Sequence, residues 1–499
     1  MGITLALIAI VTLLALPVLF VTFVKRKHHA PYYAIKSKKD ILLGSTLRYF
    51  SFPLIQSRLN THEQKYHASI FGRSGSGKSK LLQGVFLQHV AKRNGVGILE
   101  PHHDLSYDCL TSLISQGFYK DPKAYEKVIY IDWANGAYIP FNILKSKAEH
   151  HTIAANVLDA FHRVWPALGE GSAPAFDNIV KQSIRVLLVN DLPLTKLVHL
   201  ITSEEYRNKL LEKVTDPDIL QYWKEFFDRM PEVNKQNEIA STHRRLSLLT
   251  DNPLLKLTLG QPDNALNFRE IMDSGKAIII NLGNVGDLDT RKLIGALIMI
   301  QIEQAALSRT ELLPHERTPF TLMVDEWPAF AAQQDSISHI LSQCRKFNLR
   351  LYLAAQSLAQ VDSKRLSGAL ENCKLQIAFG LGRDSAEAQA KHIGIIEPHL
   401  VKEEAASHGQ HTMYTALNEQ WEIWTQELQQ LKSRWAYVKL EGVHAMKIRT
   451  LSVPTPKVSS AQVSEVLATY RSRYQKSQQE AEALMARDNP VQPAMNLFE

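Results

Sequence analysis

The residues with the clearest chemical meaning lie in the stretch FGRSGSGKSK (71–80). Gly72, Arg73, Ser74, Gly75, Ser76, Gly77, Lys78 and Ser79 fit the pattern G-x-x-x-x-G-K-[ST] at every fixed position. The glycines let backbone N–H groups turn inward around phosphate oxygens, and a helix after the loop adds its N-terminal dipole. We expect Lys78 to reach the β- and γ-phosphates and Ser79 to bind Mg²⁺. The loop therefore predicts a site for ATP and Mg²⁺.

A second motif, TLMVDEWPAF (321–330), offers the carboxylates that such a site needs. Asp325 should lie at the C-terminal tip of a strand beside the loop and hold Mg²⁺ through water, and Glu326 should act as the base toward the attacking water. The alternative is a strand that ends in two solvated acids. The Asp–Glu pair favours an ATP hydrolase over a small-molecule kinase, because a kinase takes its nucleophile from the substrate.

Two more side chains are candidates for the chemistry. Gln356 ends the run LRLYLAAQ, where a polar residue at a strand tip would face the γ-phosphate. Arg345, in CRKF, is the first candidate for an arginine finger supplied across a subunit boundary, and Arg383, in GLGRD, is the second. A loop glutamine and surface arginines without a catalytic role are the alternatives.

The segment EPHHD (100–104) contains two adjacent histidines. Adjacent residues on an extended chain point to opposite sides, so both imidazoles do not easily grip one metal ion. We therefore expect a loop that packs beside the nucleotide site.

These residues require a frame of alternating strands and helices. HASIFG (67–72) is an apolar run that enters the loop, and a helical pattern follows it as far as Gly95. The further runs with strand character are VGILE (96–100), VIYID (128–132), KAIIINL (276–282), TLMVDE (321–326), LRLYLAAQ (349–356), LQIAFGLG (375–382) and WAYVKL (435–440). This order predicts an α/β fold with a mainly parallel sheet and crossover helices.

Residues 149–261 have a different character. Their apolar residues recur at spacings of three and four, Ser203 and Asp216 are plausible N-caps, and no strand-like run interrupts them. We expect an all-α domain inserted into the α/β domain.

Residues 1–24 carry no charge. As a helix they would span roughly 30 Å or slightly more, which matches the hydrocarbon core of a bilayer. The basic cluster KRKHH (25–29) follows directly and predicts that the body lies in the cytoplasm. The alternative is a cleaved signal peptide, but its basic residues would precede the apolar run.

The composition sets outer bounds on the function. The chain has 499 residues, 45% of them hydrophobic and 21% charged, so most of it should fold around a core in two or three domains. A net charge of +7 permits a polyanion or an anionic membrane surface as a partner. The three cysteines, Cys109, Cys344 and Cys373, lack metal-ligand spacing and are expected to be reduced thiols.

Taken in order, these motifs resemble those of a known family. GRSGSGKS, EPHHD, PFNIL (140–144), VDEWPAF, CRKFNLRLYLAAQSLAQ and NCKLQIAFGLGRD are similar to segments of the type IV secretion coupling proteins, in the HerA/FtsK superfamily of DNA-pumping ATPases. The resemblance covers roughly residues 65–453. Two departures are the single apolar segment at the N-terminus, where the family often has two, and Glu100, where the family usually has Asp.

The resemblance implies a RecA-like motor, an inserted all-α domain, a membrane anchor and a homo-hexameric ring that hands relaxase-bound DNA to a secretion channel. It matches Lys78 and Ser79 to the nucleotide loop, Asp325 and Glu326 to the second Walker motif, and Gln356 and Arg345 to the family's glutamine and inter-subunit arginine. Its expected partners are single- or double-stranded DNA, a relaxase or other substrate protein, and type IV secretion channel components. Its expected location is the bacterial inner (cytoplasmic) membrane, with a single pass and a cytoplasmic body.

The sequence thus favours a membrane-anchored, ATP-driven DNA translocase that serves conjugative transfer. The alternatives are a similar ring motor for DNA partition or protein export, and a membrane-tethered recruitment platform that does not hydrolyse ATP. A dedicated DNA-recognition motif is missing, and Lys364 and Arg365 are candidates for phosphate contacts or simply a solvated pair. The predicted parts are an anchor (1–24), a membrane-proximal connector (25–64), the ATPase domain in two parts (65–148 and 262–453), the all-α domain (149–261) and a charged helical tail (454–499).

Overall fold

We describe a computed structural model of the chain. It describes residues 40–46, 55–134, 136–146, 148–164, 174–329, 340–357, 372–397, 401–406 and 409–487. The predicted anchor (1–24), the basic cluster after it, and Lys364 and Arg365 lie outside these residues. Within the described part, none of the helices is both long enough and apolar enough to cross a membrane.

An eleven-stranded sheet organises the fold, in the order β2-β1-β13-β12-β9-β3-β8-β7-β4-β6-β5. The strands are β1 (Ile41–Thr46), β2 (Ile55–Leu59), β3 (Ala68–Phe71), β4 (Gly95–Glu100), β5 (Val128–Asp132), β6 (Ala277–Asn281), β7 (Phe320–Val324), β8 (Leu349–Ala355), β9 (Leu375–Ala378), β10 (Val401–Ala406), β11 (Gly409–Tyr414), β12 (Trp435–Leu440) and β13 (Met446–Thr450). The seven strands from β9 to β5 are parallel. The predicted α/β fold with a mainly parallel sheet is confirmed.

The central strands are nearly continuous apolar runs because both faces of the sheet are covered. Ile98 and Leu99, neighbours on β4, are fully buried in two different hydrophobic cores. Successive side chains of a strand point to opposite faces, so each strand supplies both cores. The two cores hold the carboxyl ends of the parallel strands in line at one edge of the sheet, and that edge is where the candidate site lies.

Four antiparallel strands extend the sheet beyond β9. Two of them, β1 and β2, come from the segment 25–64 that the sequence analysis treated as a connector. That segment therefore contributes two strands to the sheet, Ile41–Thr46 and Ile55–Leu59. The hairpin of β10 and β11 forms a separate two-stranded sheet and was also missed from the sequence.

Helices cover the sheet and fill the long interval between β5 and β6. The α-helices are α1 (Lys78–Lys92), α2 (Asp104–Ser115), α3 (Ala124–Lys127), α4 (His150–Val164), α5 (Pro174–Val189), α6 (Lys196–Thr202), α7 (Glu204–Leu211), α8 (Pro217–Gln221), α9 (Glu232–Leu246), α10 (Leu248–Asp251), α11 (Pro253–Leu259), α12 (Phe268–Asp273), α13 (Leu288–Leu307), α14 (Arg383–Ile393), α15 (Leu417–Gln430), α16 (Ser460–Tyr474) and α17 (Gln478–Arg487).

The interval between β5 and β6 holds α4 to α12 and a π-helix at Tyr222–Phe227. The two predicted N-caps are confirmed, since Ser203 accepts from the backbone N–H of Tyr206 and Asp216 from that of Asp218. Helix α4 packs against α13, which follows β6 and is buried on nearly every side. The helical segment and one face of the sheet therefore share one hydrophobic core.

The C-terminal segment returns to the sheet. Helix α16 buries Val463, Val466 and Tyr470 and packs against the edge strand β5. Beyond it, the backbones of Lys476 and Tyr138 exchange two hydrogen bonds, of 2.8 and 2.9 Å. The predicted charged tail is thus helical from Ser460 to Arg487 with one break, and its apolar face is part of the core.

Candidate nucleotide-binding site

The glycine-rich loop joins β3 to α1 at the carboxyl edge of the sheet. Gly75 and Gly77 have φ of +72° and +112°, values that L-residues rarely adopt. The Gly72 N–H donates to the Ala355 carbonyl at the tip of β8, 3.3 Å away. A Cβ at Gly72 would come within 2.7 Å of Ser76 Oγ and 2.6 Å of Phe379 Cβ. The glycines are therefore required by the turn and by its close packing.

Lys78 is the buried cation of the site, with only 6% of its surface exposed. Its Nζ donates to the Gly72 carbonyl, so the side chain curls back over the loop. Burial lowers the pKa of Lys78, whereas the nearby carboxylates of Asp325 and Glu326 raise it. The lysine is thus held between the loop and the two acids, as its predicted contact with phosphates requires.

Asp325 and Glu326 follow β7, and each is 8% exposed. Asp325 directly follows the C-terminal end of its strand, as predicted, and β8 lies between that strand and the loop strand β3. The Ser79 side chain nevertheless lies close enough to Asp325 to lower the pKa of that carboxyl. Burial raises the pKa of Asp325, and the positive charge of Lys78 opposes that shift. Glu326 has φ of +48°, a sharp turn that directs the chain away from the end of β7.

Gln356 directly follows β8, the strand between the loop strand and the acid strand. The pairing of Ala355 with Phe71 places Gln356 level with Gly72, and its side chain is exposed. The structure therefore brings Gln356 to the mouth of the loop, as the sequence predicted. Its role in sensing phosphate stays a prediction.

Arg345 lies elsewhere. It belongs to the 3₁₀ turn Cys344–Phe347 before β8, so it sits at the amino edge of the sheet, opposite the loop. Its guanidinium lies 5.1 Å from the centre of the Tyr66 ring. Because β8 is seven residues long, roughly 23 Å of strand separates the two edges. Arg345 cannot serve the loop of its own chain.

Arg383, the second candidate finger, begins α14 on the loop side of the sheet. Both of its terminal nitrogens bind Glu422 at 2.6 Å. A guanidinium held by its own carboxylate is less free to reach a neighbouring chain. For both arginines, action across a subunit boundary stays a prediction.

The segment EPHHD packs beside the acids. Glu100, 1% exposed, accepts the backbone N–H groups of Leu105 and Ser106, so it caps the first turn of α2. The His102 side chain is close enough to Asp325 to lower the pKa of that carboxyl. The described residues contain no group of three His, Cys, Asp or Glu that would hold a metal ion. Cys109, Cys344 and Cys373 are buried free thiols.

One segment that contacts the phosphate loop was not identified from the sequence. Ser433 and Arg434, just before β12, hydrogen-bond to the carbonyls of Gly75 and Ser76. They come from LKSRW, which matches no motif and has no periodic pattern. Their role depends on a pairing of β12 with β9 that only the folded sheet reveals.

A glycine-rich phosphate loop between a strand and a helix of a parallel sheet, with buried acids directly after another strand of that sheet, defines a P-loop nucleotide-binding fold. Neither a family model nor a curated protein sequence matches the chain.

Solved structures of conjugative coupling proteins share this fold. The chain is similar to the bacterial conjugative coupling protein TrwB in an unbound form, with a TM-score of 0.59, 15% identity, and coverage of 81% of this chain and 88% of that one. It is also similar to TrwB in complex with ADP and Mg²⁺, at a TM-score of 0.57, 15% identity, and 81% and 89% coverage. For TrwB in complex with the ATP analogue ADPNP, the TM-score is 0.56 and the identity 15%, and the match covers 79% of this chain and 87% of that one. The resemblance to coupling proteins found in the sequence is confirmed as a likeness of fold.

Proposed function

We propose that this chain is an ATP hydrolase that drives DNA through a ring and couples relaxase-bound DNA to a type IV secretion channel. One observation carries the hydrolase part. Lys78, Ser79, Asp325 and Glu326 are brought to one point at the loop although the strands that precede them, β3 and β7, are not neighbours. A protein that only held a nucleotide would not need a second, water-activating acid there.

The residues divide the work as follows. The backbone N–H groups of the loop and Lys78 bind the phosphates. Ser79 and, through water, Asp325 would hold Mg²⁺, which neutralises phosphate charge when it is bound. Glu326 takes the proton of the attacking water, and Gln356 faces the γ-phosphate from the tip of β8.

The DNA-moving part rests on the likeness of fold, which spans 81% of the chain, and on the coupling role that is printed for TrwB. The uncharged segment 1–24 supports a single-pass anchor in the bacterial inner membrane with a cytoplasmic body. The position of Arg345 at the edge opposite the loop supports a ring, a homo-hexamer in this proposal, because only a neighbouring chain would bring it to a nucleotide.

The test is ATP turnover by the full chain in lipid nanodiscs, with no DNA, single-stranded DNA and double-stranded DNA, and with Lys78→Ala as the blank. We expect turnover that either form of DNA stimulates several-fold. Turnover that DNA of either form leaves unchanged would overturn the DNA motor and point to protein export. The lack of any turnover above the blank would overturn the hydrolase as well.

A further inference from the structure

The segment before β12 makes two hydrogen bonds to the outer side of the phosphate loop. Ser433 Oγ donates to the Gly75 carbonyl at 2.9 Å, and the Arg434 N–H donates to the Ser76 carbonyl at 2.8 Å. Both acceptors are carbonyls of consecutive residues inside the loop. The segment therefore acts on two consecutive peptide groups of the phosphate loop, and the N–H of one of them, that of Gly77, would meet phosphate.

The geometry of the peptide group gives these bonds a consequence. In a planar trans peptide, the C=O and the N–H point in opposite directions. Because Arg434 holds the Ser76 carbonyl outward, the N–H of Gly77 in the same peptide must point inward, toward the phosphate position. The Gly75 peptide is fixed at both ends, since Ser433 binds its carbonyl and its partner N–H, that of Ser76, donates to Arg73 O at 3.2 Å.

Arg434 itself is held in an unusual conformation by β13. Its φ is +69°, in the left-handed region that L-residues rarely adopt. Three bonds to Thr450 hold it there: Thr450 N–H and Oγ1 donate to the Arg434 carbonyl at 2.9 and 3.2 Å, and Arg434 Nη2 donates to the Thr450 carbonyl at 3.0 Å. Thr450 in turn pairs with Gly44 of β1.

Contact with the loop is close at this point. A Cβ added to Gly77 would lie 3.3 Å from the Arg434 Cα. The segment and the loop thus fit backbone against backbone, and a small shift of Arg434 moves the loop. The antiparallel strands β1, β12 and β13 are thereby linked to the nucleotide site through Ser433 and Arg434.

We propose that Ser433 and Arg434 are positioning residues of the nucleotide site, which orient the Gly77 N–H for phosphate through the carbonyls of Gly75 and Ser76. The inference rests on the proposed function in that the ligand is MgATP. The guanidinium acts by holding Arg434 in its left-handed conformation and does not contact the nucleotide.

Four variants of the full chain test the idea by MgATP affinity: Ser433→Ala, Arg434→Ala, Arg434→Gly and, as the matched control, Lys432→Ala. Loss of one hydrogen bond corresponds to about a two- to tenfold weaker affinity, which we expect for Ser433→Ala and Arg434→Ala. Arg434→Gly should lose less than Arg434→Ala, because glycine adopts a φ of +69° without strain. Lys432, an exposed neighbour, should have no effect.

A second readout needs no nucleotide. Hydrogen–deuterium exchange of the loop 72–79 should be faster in Ser433→Ala and Arg434→Ala than in the wild type, and unchanged in Lys432→Ala. Wild-type exchange in both variants would overturn the inference. So would an Arg434→Gly variant that binds MgATP as weakly as Arg434→Ala, because a direct contact of the guanidinium would then explain the loss. Failure of the wild type to bind MgATP would instead overturn the proposed function, while the exchange result would still decide the inference.

Discussion

The Ser79 side chain lies close enough to Asp325 to lower the pKa of that carboxyl, although the strands that precede these two residues, β3 and β7, are not neighbours in the sheet. The intervening strand β8 ends at Ala355, level with Phe71. Side chains from the ends of β3 and β7 therefore meet across the tip of β8, and Gln356 occupies that tip. The ends of β3, β8 and β7 lie side by side, so a ligand held by the loop would face all three.

Lys78→Ala should abolish ATP turnover and weaken MgATP binding. The substitution removes the buried cation that lies against Gly72, Asp325 and Glu326, and leaves two buried acids without their counter-charge. ATP hydrolysis and nucleotide affinity measure the effect. Lys80→Ala is the matched control, because Lys80 lies on the same helix but pairs with Asp108 at a half-exposed position. Equal losses in both variants would contradict the special role of Lys78.

The sequence predicted the loop, the acid pair and most of the parallel strands, since each depends on a local pattern. The run VIYID, for example, is β5 residue for residue. The sequence did not predict that β8 lies between β3 and β7, because strand order follows from helix packing between distant segments.

The antiparallel strands at the side of the sheet were harder to predict for a physical reason. Strands β1 and β2 contain polar residues such as Gln56 and Arg58, and edge strands need not be apolar on both faces. The role of Ser433 and Arg434 had no local signal at all. Their contribution is made mainly by backbone groups, and only tertiary packing brings these groups to the loop.

Arg345→Ala should leave nucleotide binding intact and stop turnover in the assembled ring. Because Arg345 lies at the amino edge of its own sheet, its removal should lower ATP turnover at the site of the neighbouring subunit. Mixing Arg345→Ala chains with Glu326→Gln chains should restore part of the turnover, because some sites then combine an intact Glu326 with an intact neighbouring Arg345. Lys346→Ala, an adjacent exposed cation over the Phe347 ring, is the control and should stay active. A mixture that remains inactive would count against action across the boundary.

The buried histidine of α1 should make the protein sensitive to acid. His89 is 1% exposed, and neither ring nitrogen has a hydrogen-bond partner among the described residues. Burial, together with the nearby positive charges of Arg350 and Lys92, lowers the pKa of His89 to about 3. The unfolded chain takes up this proton below about pH 6.5 and the folded chain does not, so stability from this group is present above pH 6.5 and is lost as the pH falls toward 3.

His89→Leu should therefore flatten the acid limb of the stability curve. Between about pH 6 and pH 4 the free energy of unfolding should fall less steeply than in the wild type, by about 1.4 kcal/mol per pH unit. Burial also lowers the pKa of His67, to about 4, so part of the slope should remain. Denaturant unfolding at several pH values measures this pH dependence of the free energy of unfolding. The substitution His315→Leu, at an exposed histidine, is the control. An unchanged slope in His89→Leu would show that His89 is not buried as a neutral ring.

Tyr470 should anchor the C-terminal helices to the sheet. Its hydroxyl donates to the Val128 carbonyl at 2.7 Å, so the Tyr119 hydroxyl, 3.0 Å away, must be the donor of the bond between the two tyrosines. Tyr470→Phe leaves a carbonyl and a hydroxyl unpaired in the interior, at a cost of about 1–3 kcal/mol. Tyr470→Ala also opens a cavity against the Tyr119 and Tyr125 rings, and should cost about 3–5 kcal/mol.

The free energy of unfolding in urea and limited proteolysis after Tyr474 test this anchor together. Destabilisation should follow the order Ala, Phe, wild type, and cleavage near the C-terminus should become faster in the same order. Tyr474→Phe is the control, because that half-buried hydroxyl binds neither Val128 nor Tyr119. Cleavage that stays slow in Tyr470→Ala would mean that the contacts of Gln475 and Lys476 with Asp132 and Tyr138 hold α16 and α17 in place without the tyrosine.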